Sequence, residues 1–186
     1  MVDTIPDEAS IDPERYFDER AGGDRTDDES HVDTAERTCT HESADHCEAD
    51  AAGRSIVGVT GADGRVLLWV HPEEEHAILS NDTVAPDENW RTVGREWVRG
   101  SAGLGVEIDG IERVRRITHV VEGEETPRSV THHVVFAASV VPTEAEGTIP
   151  DGLCADNPWE LGWYDELPFE IEDEGGSLDD IRLFID

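Results

Sequence analysis

The sequence predicts one mixed α/β domain, residues 53–186, behind an acidic tail of low order, residues 1–52. Three observations carry that expectation. Apolar residues become frequent after Arg54. Runs rich in β-branched and aromatic residues then follow one another, separated by turn signals. Between Asn89 and Gly103 the apolar spacing changes to that of a helix. A chain of 186 residues suits one domain with a tail and is long enough to bury a substantial core.

Residues 1–52 are acidic and poor in apolar side chains, with Gly22-Gly23 running into DRTDDES, so they cannot bury enough surface to order themselves. The exception is a short helix in reach of Pro13–Arg20. After the boundary, SIVGVT and RVLLWV flank GADG and read as a β-hairpin turning at Asp63-Gly64. HAILSNDTVAPDE leads to a loop. Asn89 can cap a helix that presents Trp90, Val93 and Trp97 to the core, with Gly100 and Gly103 ending it. GIERVRRITHVV and SVTHHVVFAASVV are two further strands that suit a mixed sheet packed against this helix. ELGWYDELPFEI supplies a last strand or turn, and SLDDIRLFI a C-terminal helix with Ser177 as its cap.

The net charge of −31 comes from 45 acidic residues against 14 basic ones, all of them Arg. This composition resembles that of proteins from extreme halophiles, whose concentrated salt screens self-repulsion. A basic footprint for nucleic acid is absent. No run approaches the ~20 apolar residues of a membrane span, and the first residues lack the basic and apolar regions of a signal peptide. A cytoplasmic protein without nucleic-acid or membrane partners is expected. Three cysteines do not suggest a disulfide framework.

Several groups could carry chemistry. Cys39, His41, His46 and Cys47 offer two thiolates and two imidazoles to Zn²⁺, although the spacing matches no zinc-finger pattern; the alternative is a flexible tail with chance ligands. His132 and His133 fall on opposite faces of one strand and cannot converge with His119, which favours structural roles for all three. Arg113 and Arg115 share a face, as a phosphate clamp or as partners of carboxylates; Arg116 faces the other way. Glu122, Glu124, Glu125, Asp165 and Glu166 are acidic candidates outside the helix.

The stretch NDTVAPDENWRTVGREWVRGSAGL, Asn81–Leu104, resembles the box of the Nudix superfamily: Gly, five residues, Glu, seven residues, then Arg-Glu-apolar-any-Glu-Glu-any-Gly-apolar. With Gly103-Leu104 as anchor, Asp82 takes the opening Gly, Glu88 the first Glu and Val98 the apolar position. Glu96 then takes the Arg position, and Trp97, Gly100 and Ser101 take the three Glu positions. A shift of one residue recovers Arg95-Glu96-Trp97 but loses Gly103 and puts Asp87 in place of Glu88. Neither register restores the Glu-Glu pair that would hold divalent ions.

The resemblance implies an α/β/α sandwich with a mixed sheet. It also implies Mg²⁺- or Mn²⁺-dependent hydrolysis of nucleoside diphosphates linked to another group. Without the Glu pair, hydrolysis is expected to be weakened or lost, with binding of a nucleotide or other diphosphate-containing ligand retained. Glu88 and Glu96 are the remaining box carboxylates, Glu88 as a Mg²⁺ ligand or merely as a helix N-terminal charge. Two alternatives stay open: an active hydrolase using carboxylates outside the box, and an interaction module using the tail with Trp90, Trp97, Trp159 and Trp163.

Overall fold

The computed structural model describes residues 11–17, 32–43, 50–142, 158–169 and 176–185. Among these residues eight strands form one mixed sheet: β1 (Asp33–His41), β2 (Gly53–Thr60), β3 (Val66–His71), β4 (His76–Ile78), β5 (Ser80–Val84), β6 (Val106–Val121), β7 (Ser129–Val140) and β8 (Glu160–Tyr164). Their order is β1-β6-β7-β2-β3-β4, with β5 also pairing β2 and β8 also pairing β3. Strand β2 is the centre. It runs parallel to β7 on one side, and on the other it is antiparallel first to β5 and then, at Thr60↔Val66, to β3.

Alternation along β2 and β3 divides the core in two. Val57, Val59 and Leu67 face α1 (Trp90–Ala102) and meet Val98, Ala102 and Leu104. Ile56, Leu68 and Val70 face the other way and are covered by Leu178, Ile181 and Ile185 in and after α2 (Ser177–Ile181). Helices on both faces of the mixed sheet give the expected three layers. No described helix is long and apolar enough to cross a membrane.

The local signals that set the elements are visible in the backbone. Gly64 turns the β2–β3 hairpin at φ 84°. The Asn89 side chain accepts from Arg91 N and Thr92 N at the start of α1, and Gly103 ends it in the left-handed region at φ 68°. The stripe of α1 that enters the core differs from the expected one. Trp90, Gly94, Val98 and Ala102 are buried, whereas Trp97 is 38% exposed. Gly94 sits in the buried row: a Cβ there would meet Ser55 Oγ at 2.7 Å and Val57 Cγ2 at 2.8 Å, so the helix axis lies close to β2 along this row. At the last helix, Ser177 is the first helical residue and Gly176 the cap position, with no side-chain capping bond.

The expected boundary at residue 53 needs correction. Asp33–His41 is a strand of the sheet, parallel to β6, and the 3₁₀ turn Pro13–Tyr16 buries Tyr16 beside Trp90, Val114 and Phe136. The acidic residues that argued against order here are paired. Asp33 accepts from Arg113 Nε at 2.7 Å, Glu36 from Arg116 Nη1 at 2.8 Å, and Glu14 from both Nε and Nη2 of Arg116. On the face opposite Arg116, Asp180, 2% exposed, accepts from Arg115 (Nη2 2.6 Å, Nη1 3.2 Å) and Arg113 (Nη1 3.1 Å), tying α2 to β6. The β6 arginines are therefore carboxylate partners, but of groups remote in sequence.

Candidate functional site

The box-like segment ends in an aromatic cleft. Asp82 on β5, Trp97 and Ser101 on α1, Trp69 on β3 and Trp159 before β8 line a concavity of about 400 Å³, with Arg54, Asn81 and Ile78 at its other wall. Trp97 and Ser101 lie one helical turn apart and so share a wall. They are two of the three positions at which the Nudix resemblance would place Glu. Ser101 donates its hydroxyl to Trp97 O at 2.7 Å, a bond back into its own helix. The third position, Gly100, is open: a Cβ there would have nothing within 4 Å.

Trp69 is 8% exposed and shares the Leu67 side of β3, and its Nε1 is buried without a hydrogen-bond partner among the described residues. Trp159 packs edge-on against His71 at 5.3 Å and His76 at 5.7 Å. Arg54 donates to Asn81 Oδ1 at 2.7 Å while Asn81 Nδ2 donates to Leu79 O at 2.8 Å, so both ends of the amide are used in aiming the guanidinium. The described lining of the cleft thus combines ring faces, a buried indole donor and one cation.

Its donor set does not fit Mg²⁺ or Mn²⁺, which take several hard oxygens in an octahedral shell. Asp82 is the one carboxylate among the described lining residues. Glu88 is exposed and accepts from Ala85 N at 2.8 Å, closing the turn before α1, and Glu96 is exposed on the helix; neither lines the cleft. The carboxylates considered outside the helix do not line it either, and Glu124 is held by Arg128 Nε and Nη2, each at 2.7 Å.

No known family profile matches the chain, and no curated protein does. Among solved structures, the E. coli dihydroneopterin triphosphate pyrophosphohydrolase is similar over 51% of this chain and 76% of that one, at 12% identity and a TM-score of 0.35. A likeness of that size carries no functional inference. The site has to speak through its own residues.

The histidines separate as alternation requires. His132 Nε2 lies 2.9 Å from Glu14 Oε1 on the α1 side of the sheet, and burial holds its pKa below the ordinary value, with Glu14 opposing that shift. The Glu14 carboxyl is in turn held low, first by its bonds to Arg116. His133 lines a cavity on the opposite face. Of the zinc candidates, Cys39 and His41 sit two residues apart on one face of β1, while His46 and Cys47 lie outside the described residues. His41 Nε2 is 2.8 Å from His119 Nδ1, and His119 Nε2 is 2.8 Å from Thr131 Oγ1, a relay across β1, β6 and β7. No group of three or more possible metal ligands occurs among the described residues.

Sequence reasoning found Trp97 and Ser101 but gave Trp97 to the core, and it missed Trp69, Arg54 and Asn81. The signal for the close approach of α1 to β2 was Gly94, a helical glycine on the buried row.

Proposed function

We propose that this protein binds a nucleotide or another diphosphate-containing ligand in the tryptophan cleft and does not hydrolyse it. The observation that carries this reading is the replacement at the cleft wall. Trp97 and Ser101 stand where the box would hold divalent ions, so an aromatic surface occupies the place of a charged one. Stacking on Trp97 and Trp159 suits a flat heteroaromatic ring, and base–aromatic stacking contributes about 1–3 kcal/mol per base. The unpartnered Trp69 Nε1 is a donor for a ring acceptor, and Arg54 a donor for an anionic substituent. The neighbouring pyrophosphohydrolase is named for diphosphate chemistry, but the reading rests on the cleft.

The test is calorimetric titration of nucleoside diphosphates and their conjugates in concentrated KCl, with Mg²⁺, Mn²⁺ or EDTA, following phosphate products and tryptophan fluorescence in the same samples. Saturable binding with quenching, insensitive to EDTA and without product, is expected. Metal-dependent turnover would sink the non-hydrolysing reading, and absence of binding the ligand class. A Gly100→Glu/Ser101→Glu double substitution should raise Mn²⁺ affinity at least about tenfold, since paired helix carboxylates restore hard ligands. Unchanged Mn²⁺ affinity would show that the Gly103 register is wrong.

A further inference from the structure

On the face of the sheet opposite α1, a cavity of about 310 Å³ lies between β1, β2, β5, β6, β7 and the start of α2. Three arginines reach it: Arg37 from β1, Arg54 from β2 and Arg115 from β6, together with His133 from β7. Arg115 is the register partner of His133, and His133 that of Arg54. Three basic side chains therefore stand in one row across three neighbouring strands, on a single face.

Among the described lining residues there is one carboxylate, Asp180, and it is already shared by Arg115 and Arg113. Arg54 is aimed by Asn81. Arg37 is exposed and has no hydrogen-bond or ion-pair partner among the described residues, unlike Arg65, Arg113, Arg115, Arg116, Arg128 and Arg182. A Cβ at Gly176 would lie 3.6 Å from Arg37 Nη1, so the guanidinium projects over the cavity toward the start of α2. Guanidinium forks match the geometry of phosphate oxygens and bind them bidentately.

We infer that this cavity is an oxyanion site for a phosphate or diphosphate group. It stands on the arginine row and does not depend on the reading of the tryptophan cleft, although Arg54, Asn81 and Ile78 line both. The diphosphate is either free or the anionic end of a ligand whose ring occupies the cleft.

The experiment is calorimetric titration of inorganic pyrophosphate, and of a nucleoside diphosphate, into the full chain at one fixed KCl concentration. Arg37→Ala removes an exposed side chain that satisfies no described carboxylate, so the fold should be retained. It should weaken pyrophosphate binding about tenfold or more, the loss expected for one charge-assisted fork. Arg37→Lys should recover part of that affinity, keeping the charge but not the fork. Trp97→Ala should leave pyrophosphate binding unchanged, which separates failure of this site from failure of the cleft. If the nucleoside diphosphate binds more tightly than pyrophosphate and Trp97→Ala abolishes the difference, one ligand spans both pockets. Equal affinities assign the site to free diphosphate. Absence of saturable pyrophosphate binding, or wild-type binding by Arg37→Ala, overturns the inference.

Discussion

Trp69 concentrates the conflict between stability and function in one atom. A buried N–H without an acceptor costs about 1–3 kcal/mol, and Nε1 of Trp69 has no acceptor among the described residues. Trp69→Phe removes that penalty but loses ring volume, and large-to-small changes in a packed site cost a similar amount. The free protein should therefore stay within about 1 kcal/mol of wild type in urea denaturation. Ligand affinity should behave differently. Losing the indole donor should weaken nucleotide binding about tenfold, the value of one buried hydrogen bond at the upper end of its range. Strong destabilisation with unchanged binding would make Trp69 a packing residue and remove the indole donor from the site. His132 offers a second test. Its folded-state pKa lies below 6.5 because burial disfavours the charged ring. The unfolded chain thus binds the proton more readily, and stability rises with pH across that window. The contribution is complete above 6.5 and is lost as pH falls below it. Glu14, also shifted down, adds a loss in the same direction below 4.5. In denaturation midpoints followed from pH 7.5 to pH 5.5 in roughly half-unit steps, His132→Gln should flatten the slope. Parallel slopes for the two proteins would show that burial of His132 does not set the pH dependence in this range.

Helix α1 carries two glycines that should respond oppositely to the same substitution. At an open helical position Gly→Ala gains about 1 kcal/mol of helix propensity. Gly100 is such a position, so Gly100→Ala should stabilise by up to about that amount. At Gly94 the new methyl would press on Ser55 Oγ and Val57 Cγ2. Ser55 donates to Trp90 O at 2.9 Å and cannot move without losing that bond. Overpacking costs about 1–3 kcal/mol, which exceeds the propensity gain, so Gly94→Ala should be destabilising. Thermal unfolding of both variants decides it; stabilisation at both positions would mean the helix can lift from β2 at little cost. The same pair shows what was legible in the sequence. Signals confined to a few neighbouring residues were readable: Asp63-Gly64 for the hairpin, Asn89 and Gly103 for the ends of α1, alternation for His132 and His133. Strand β1 was not, because its order depends on Arg113 and Arg116 some 80 residues away. The cleft was not either: Trp69, Trp97 and Trp159 come from separate elements and meet only through the β3–β8 pairing and the closeness of α1 to β2.

At the scale of the whole molecule the excess of carboxylates decides how salt acts. Screening has two opposite effects here. It weakens half-exposed pairs such as Arg116–Glu36 and Arg113–Asp33, each contributing about 0–1 kcal/mol. It also relieves repulsion among the carboxylates left over after every arginine has been matched, which is the net charge of −31. The buried Asp180–Arg115 pair is largely shielded from salt and keeps α2 on the sheet throughout. Fourteen arginines cannot outweigh that excess, so the second effect should dominate. Thermal unfolding temperature should rise between about 0.1 M and about 1 M KCl, as the Debye length falls from ~10 Å to ~3 Å. KCl isolates screening better than sulfate, which also strengthens apolar burial through its exclusion from the surface. A neutralising series separates the terms further. Converting unpaired surface carboxylates such as Glu73 and Glu75 to Gln should raise stability most at low salt and progressively less as KCl is added. A stability that falls with KCl would mean that the arginine pairs, rather than the repulsion, control the fold at low ionic strength.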